Sequence, residues 1–227
     1  MRSLAKWHIW LGWLVGVPIV IWTLSGLVMV VKPIEEVRGN HLRVGPEAQA
    51  LPAGNPAPIA FQLSDAPPVR EFRTRMQGNA PITTVTYMDG QVERYDARSG
   101  SAIQPMDETE ARELVAGQIA GGERPTSVRL FEADAVPFDF RRELPVWQVA
   151  LEDGTHVYIG AQTGEIEAVR TRWWRIFDFM WGLHIMDLQT REDTSHPILI
   201  FFAAISLVGA LIGTILLFRR RKRRVTS

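Results

Sequence analysis

Two long apolar runs, one near each end of the chain, constrain the fold more than any other feature of the sequence. They extend over residues 7–31 and 197–218, and apart from His8 neither contains an acidic or basic side chain. Each run exceeds the roughly 20 residues that an α-helix needs to cross a bilayer. The sequence therefore predicts two transmembrane helices, over 7–31 and 196–218, with the lipid bilayer as a partner.

The first run could be mistaken for a signal peptide, but its length argues against cleavage. The apolar core of a cleavable signal peptide has about 7 to 15 residues, and the sequence VVKPIEEVRG after this run offers no small-residue cleavage site. We predict a retained anchor. The chain has no cysteine, which excludes disulfides, iron–sulfur clusters and thiol chemistry. Redox or metal chemistry would require His, Asp, Glu or Met.

Basic residues flank both runs on their outer sides. Arg2 and Lys6 precede the first run, and six consecutive basic residues at 219–224 follow the second. Such residues stay on the cytoplasmic side of a membrane helix, so we predict cytoplasmic ends at 1–6 and 219–227 and a periplasmic segment between the spans. A basic run can also indicate nucleic-acid binding. Directly after a membrane helix it is better explained as a topology signal, and no nucleic-acid partner is expected.

The segment after the first run is rich in proline. Six prolines lie within residues 44–68, with little hydrophobic periodicity, which predicts an extended linker over 32–80. His41 lies just before the proline-rich part. It has no partner that the sequence identifies, so a structural role is expected.

An internal repeat defines the middle of the chain. VTYMDGQVERYDARSG at 85–100 aligns without gaps with VALEDGTHVYIGAQTG at 149–164. In each copy an Asp-Gly pair joins two short alternating runs, which is typical of a tight hairpin whose turn needs a positive φ. Further strands are predicted at 127–132 and 146–151. His156 lies in one of the predicted strands and is interpreted as structural.

An amphipathic helix is predicted between the two copies of the repeat. Asp107 is a candidate N-cap with Glu110 three residues later, and apolar residues follow at helical spacing. The apolar positions are Ala111, Leu114, Val115 and Ile119. A helix packed on antiparallel hairpins predicts an α+β domain over 81–170.

A tryptophan-rich helix is predicted over 171–188, just before the second span. Its apolar face contains Trp173, Phe177, Met180, Trp181, His184 and Leu188. Arg172, Arg175 and Asp178 lie largely opposite. Helices of this kind lie at the level of the lipid headgroups, so we predict an interfacial helix that places His184 among aromatic residues.

The order of these features resembles the PepSY and PepSY-associated transmembrane group of bacterial inner-membrane proteins. The resemblance is carried by WHIWLGW and TLSGLVM in the first span, by VWQVALEDGTHVYIGAQTGEIEAV in the middle, and by LH before the second span. It implies an α-helical membrane protein with two transmembrane helices and an inserted PepSY-like α+β periplasmic domain. Larger members have four or more spans, and some are haem-containing reductases of ferric siderophores whose membrane histidines bind the haem. This chain resembles half of such a protein.

The resemblance implies a redox component or accessory of ferric-siderophore or other iron uptake, with other inner-membrane iron-uptake proteins as partners. For haem b the candidate ligands are His8, His184 and His196. His8 starts a span of about 37 Å at about 1.5 Å per residue, so it cannot share a haem with the other two. His184 and His196 could converge if the turn between them reverses the chain, or each could find its second ligand in a partner copy.

Other interpretations of the same residues stay open. His184, Asp187, Asp193 and His196 form a mixed nitrogen and oxygen set suited to iron or zinc, and purely structural histidines are a third interpretation.

Small residues line one face of each span and can serve helix packing or self-association into a homodimer. On the first span this stripe is His8, Gly12, Gly16, Ile19, Thr23 and Gly26, and on the second it is Ser206, Gly209 and Gly213. The stripe of the first span could also leave room for a flat cofactor.

The rival to a redox role is a membrane-anchored periplasmic binding or regulatory module that recognises a peptide, a peptidase or a partner protein. No Ser-His-Asp spacing, phosphate-binding loop or HExxH motif is present, so no catalytic residue is assigned.

Overall fold

The computed structural model describes residues 2–44, 49–52 and 67–225. The chain forms two compact units, one made of Met1–Pro33 with Trp173–Ser227 and the other of Ile34–Arg172. They are called here the membrane unit and the α/β unit. Most of the proline-rich run predicted as linker lies outside the described residues.

The chain contains the following helices and strands. The helices are α1 (Arg2–Met29), α2 (Ile34–Val37), α3 (Glu108–Gln118), α4 (Arg172–His184) and α5 (Pro197–Val225), with a 3-10 turn at Asn40–Leu42. The strands are β1 (Val69–Gln77), β2 (Ala80–Tyr87), β3 (Val92–Asp96), β4 (Ala102–Ile103), β5 (Pro125–Phe131), β6 (Val146–Leu151), β7 (His156–Gly160) and β8 (Ile166–Arg170).

The membrane unit is built on two long apolar helices that pack against each other. Ser3–Met29 of α1 and Pro197–Arg219 of α5 are long and apolar enough to cross a membrane, and few of their side chains are buried within the protein. The two predicted spans are confirmed as helices of the required length. The backbone of α5 stays helical to Val225, so the residues predicted as a basic tail extend this helix.

The α/β unit contains two four-stranded antiparallel sheets with the same strand order, β1-β2-β3-β4 and β5-β6-β7-β8. The two copies of the sequence repeat form the central hairpins, β2–β3 and β6–β7. Gly90 and Gly154 occupy the two hairpin turns with φ of 90° and 79°. This conformation is strained for side chains other than glycine, and the predicted role of the Asp-Gly pairs is confirmed.

Helix α3 supplies the core of the second sheet. Ala111, Val115 and Ile119 are fully buried and pack with Val149, Val157 and other residues of that sheet. Its first turn is closed as predicted, because the Glu110 N–H donates to the Asp107 carboxylate at 2.8 Å and the Asp107 N–H donates to the Glu110 carboxylate at 3.0 Å.

The linker predicted over 32–80 is too long, because part of this range forms regular structure. Strand β1 lies within it and pairs along its length with β2, and Val37 of α2 is buried. The sequence gives no strand signal for β1, because this is an edge strand with exposed charged residues, such as Arg73, and without alternating apolar residues. Pairing with β2 imposes the strand.

Candidate functional site

His184 lies at the end of α4 and packs on α1. Its ring stacks on Trp22 with centroids 4.8 Å apart and an interplanar angle of 18°. Its Nδ1 lies 3.2 Å from the Trp22 carbonyl oxygen and 3.1 Å from the hydroxyl of Ser25, which is buried and itself donates to that carbonyl. Because a carbonyl can only accept, this geometry assigns a hydrogen to Nδ1, and in the neutral ring the lone pair is then on Nε2.

His8 makes a matching contact between the two long helices. Its Nδ1 lies 3.1 Å from the carbonyl oxygen of Gly209 on α5. By the same reasoning Nδ1 carries the hydrogen and Nε2 the lone pair. His8 and His184 are therefore held in the same way, each with Nδ1 directed at a main-chain carbonyl of a neighbouring helix.

Each imidazole also lies over a glycine four residues after the carbonyl that it contacts. A Cβ atom at Gly26 would lie 3.1 Å from Cε1 of His184, and a Cβ at Gly213 would lie 2.8 Å from Cε1 of His8. Glycine at these positions leaves the space that the rings occupy. By contrast, Gly12 and Gly16 of the predicted stripe face open space, so the described contacts use only part of that stripe.

The structure keeps His8 and His184 apart. His8 and the His184 contact at Trp22 are separated by about 21 Å along α1, at about 1.5 Å per residue, in agreement with the prediction that they cannot share a cofactor. His196 directly precedes α5, and its carbonyl accepts the Ile200 N–H at 3.2 Å. Within the described ranges its Nδ1 is buried without a hydrogen-bond partner.

The alternative metal set does not assemble. In the part of the chain that the structure describes, no three His, Asp or Glu side chains are grouped to hold a metal ion. Asp187 instead organises the loop between α4 and α5. Its carboxylate accepts hydrogen bonds from the Thr190 hydroxyl and from the backbone N–H groups of Gln189, Thr190, Glu192 and Asp193.

The hydrogen bonds to Asp187 have an electrostatic consequence. The Thr190 hydroxyl foremost, and then the backbone N–H groups of Thr190, Asp193 and Glu192, hold the pKa of Asp187 well below its usual range. Sequence reasoning treated Asp187 only as a metal ligand. The Asp-x-x-Thr spacing is the signal that could have indicated a side chain folded back on its own loop.

The helix predicted over 171–188 ends earlier, at His184. The prediction that Asp178 lies on an exposed polar face is wrong. Asp178 is buried, with 5% of its surface exposed, and pairs with Arg191 at 2.6 Å. The Trp181 indole N–H donates to the carbonyl of Arg191 at 3.0 Å. The loop after α4 folds back onto the helix, so a carboxylate that helical periodicity places on a solvent face is covered.

An apolar cavity of about 430 Å³ lies between α1 and α5. Its lining includes Ile19, Trp22, Thr23, Phe202 and Ser206, but no histidine. The volume is within the range of small-molecule sites, and Trp22 links the cavity to the His184 contact. The stripe residues Ile19 and Thr23 thus border open space.

A polar network in the α/β unit escaped the sequence analysis. The buried Tyr158 hydroxyl donates to Asp139 at 2.5 Å and accepts from the Gln148 amide at 2.6 Å, and His156 Nδ1 lies 3.2 Å from the other Asp139 oxygen. Burial foremost, and then the hydrogen bond with Asp139, raise the pKa of Tyr158. Because Asp139 lies in a loop outside every predicted element, spacing could not indicate this cluster.

The two apolar helices and the α/β unit inserted between them in sequence define a two-span membrane protein. A family model described as the PepSY-associated TM region matches residues 5–227, and the chain belongs to this family. Comparisons with curated proteins and with solved structures each found no significant match.

Proposed function

We propose that this protein is a haem-binding redox component of ferric-siderophore or other iron uptake in the bacterial inner membrane. In this proposal both termini are cytoplasmic and the α/β unit is periplasmic. The observation that carries it is the state of His8 and His184. Each has its Nδ1 hydrogen directed at a main-chain carbonyl, which fixes the ring, and in the neutral form Nε2 is then the ligand nitrogen, as in histidines that bind haem iron.

The two histidines do not fit haem equally well. A Cβ atom on Gly213 would lie 3.3 Å from Nε2 of His8, so this nitrogen is close to Gly213. A Cβ atom on Gly26 would have no contact within 4 Å to Nε2 of His184. His184 also stacks on Trp22, which provides part of an apolar wall. His184 is therefore the first candidate ligand, with His8 and the buried Nδ1 of His196 as further candidates.

Haem held there would supply one-electron transfer at the membrane surface. The chain's own contribution is to fix the ligand tautomer and to keep the ring in an apolar contact. His196, or a histidine of a second copy of the chain, would be the other residue that holds the haem, and other inner-membrane iron-uptake proteins would be the partners.

A visible spectrum of the full chain, purified in mild detergent from cells supplied with haem, tests this proposal. Bound haem gives an intense Soret band, and we expect His184→Ala to weaken or abolish it. His41→Ala is the matched control, because His41 is exposed in a 3-10 turn of the α/β unit. A wild-type protein without a Soret band would exclude the redox function.

A second candidate function is a membrane-anchored binding or regulatory module. It is favoured by a polar groove at the edge of the first sheet, in which a buried arginine, Arg94, contacts only neutral acceptors among the described residues. Capture of a specific partner by the full chain in lipid nanodiscs, together with no haem signal, would favour this function over the first.

A further inference from the structure

A groove of about 450 Å³ lies in the α/β unit where β4 separates from β3. Its lining includes Gln91, Val92, Arg94, Gln104, Pro105 and Gln162. The groove opens because β4 has only two residues. The chain then turns toward the second sheet, where the Met106 N–H donates to the Ala161 carbonyl at 2.7 Å.

Arg94 is the buried charged group of this groove, with 6% of its surface exposed, and the exposed Glu93 also lines the groove. Its guanidinium donates to the Gln104 carbonyl at 2.8 Å and, more weakly, to the Gln77 amide oxygen at 3.5 Å. Its Nε has no hydrogen-bond partner, and no carboxylate of the described residues forms an ion pair with it. The half-buried Arg191, by comparison, pairs with the buried Asp178 at 2.6 Å.

A buried guanidinium that has only neutral acceptors is energetically costly. Burial lowers the pKa of Arg94, and the charge of Glu110 opposes this only in part. A carboxylate, like a phosphate, matches the planar donors of a guanidinium through two parallel hydrogen bonds. Arg94 therefore indicates the chemistry of a missing partner.

The edge of β3 beside Arg94 is also open. The Gln91 carbonyl accepts the Tyr87 N–H on the β2 side at 2.9 Å, and the Asp96 N–H donates to the Ser101 carbonyl on the β4 side at 2.9 Å. Because backbone groups alternate along a strand, the N–H and C=O of Val92 point to the β4 side. The pairing of β3 with β4 ends at Arg94 and Ile103. Pro105, which follows in the groove lining, has no N–H to donate to Val92.

We propose that this groove binds an extended peptide segment. The peptide adds its backbone to the edge of β3 at Val92 and directs a carboxylate at Arg94, as peptides do when they extend a sheet. The neighbouring Glu93 does not fill this role. It also lines the groove, but it does not pair with Arg94, because its carboxylate accepts hydrogen bonds from the hydroxyls of Tyr87 and Tyr95 at 2.7 and 2.5 Å. The proposal rests on the second candidate function and is independent of haem.

Fluorescence anisotropy with the full chain in lipid nanodiscs tests the charge contact. The probe is a labelled hexapeptide of alternating valine and threonine with one central glutamate, and its matched control has glutamine in place of glutamate. We expect the glutamine peptide to bind at least about tenfold more weakly, as is typical for loss of a charged hydrogen bond. Arg94→Gln should cause a similar loss, and Arg98→Gln, which removes an exposed charge in the β3–β4 turn, should not.

If Arg94→Gln does not fold, two further probes test the proposal on the wild-type chain: peptides methylated on the backbone, and free glutamate. The first probe is a pair of peptides, each methylated at the backbone nitrogen of one of two successive residues. Only one of these two nitrogens can face Val92, so one of the two peptides should bind more weakly because it lacks the N–H that pairs with Val92. Equal binding of the glutamate and glutamine peptides would overturn the proposal. So would free glutamate binding as tightly as the peptide, which would identify a small-anion site. The Soret band is unaffected by these outcomes, so failure here is distinguishable from failure of the haem proposal.

Discussion

At the scale of single residues, the two glycines of the Gly-x-x-x-Gly pair on α5 have different surroundings. A Cβ at Gly213 would lie 2.8 Å from the His8 ring, whereas a Cβ at Gly209 would meet Leu11 at an ordinary contact of 3.8 Å. Sequence spacing treats these glycines as equivalent, but only Gly213 is needed to accommodate a ring.

We expect Gly213→Ala to displace the His8 ring and break its hydrogen bond to the Gly209 carbonyl. The expected loss is about 1 to 3 kcal/mol of unfolding free energy, as is common when a packed site is overfilled. Gly209→Ala is the matched control on the same helix and should have little effect. Unfolding in detergent followed by circular dichroism measures both. In a His8→Ala background the cost of Gly213→Ala should largely disappear, and persistence of the full cost there would contradict this explanation.

At the scale of elements, the loop between α4 and α5 depends on an ionised Asp187. Hydrogen bonds place the pKa of its carboxyl below the value in the unfolded chain. The folded state therefore favours the charged form, and this stabilisation is present above about pH 4, the ordinary pKa of aspartate, and lost as the pH falls further.

Thermal unfolding of the wild type and of Asp187→Asn should reveal this dependence. The amide keeps an acceptor but cannot titrate, so the melting temperature of the wild type should exceed that of the variant near neutral pH. Below about pH 4 the two should converge. The comparison cancels the other carboxyl groups, which titrate equally in both proteins. A difference that stays constant with pH would show that Asp187 does not act through its charge.

Elements with strong local signals could be predicted from the sequence. The apolar length of α1 and α5, the Asp-Gly turns of both hairpins and the Asp107–Glu110 capping box all act between residues close in the chain, so spacing alone identifies them. Strand β1 could not be identified in this way, because it is a charged edge strand that exists through its pairing with β2.

The candidate sites also combine signals from residues close in the chain with contacts that form only on folding. The histidines stood out because they lie beside apolar spans, but which atoms they contact depends on helix packing across as many as 201 residues of sequence. The buried pair of Asp178 with Arg191 and the exposed edge of β3 beside Arg94 likewise arise from how the chain folds back on itself. Helical or strand periodicity carries no information about such contacts.

At the scale of the whole molecule, the proposed orientation follows from charge. In the proposed topology, two helices long enough to span a membrane would place residues 1–6 and 219–227 on one side of it, and the basic residues there favour the cytoplasm. Both the haem proposal and the peptide proposal depend on this orientation, because each assigns a role to the periplasmic side.

The absence of native cysteine makes the orientation directly measurable. We expect a membrane-impermeant maleimide to label Ala135→Cys, at an exposed position of the α/β unit, in intact spheroplasts. Ser3→Cys, at an exposed position at the start of α1, should react only after the membrane is disrupted. The two variants control for each other, since both are small exposed residues and the native chain gives no background. Labelling of Ser3→Cys but not Ala135→Cys in intact spheroplasts would show the inverse orientation, and it would remove the periplasmic setting on which both proposed functions depend.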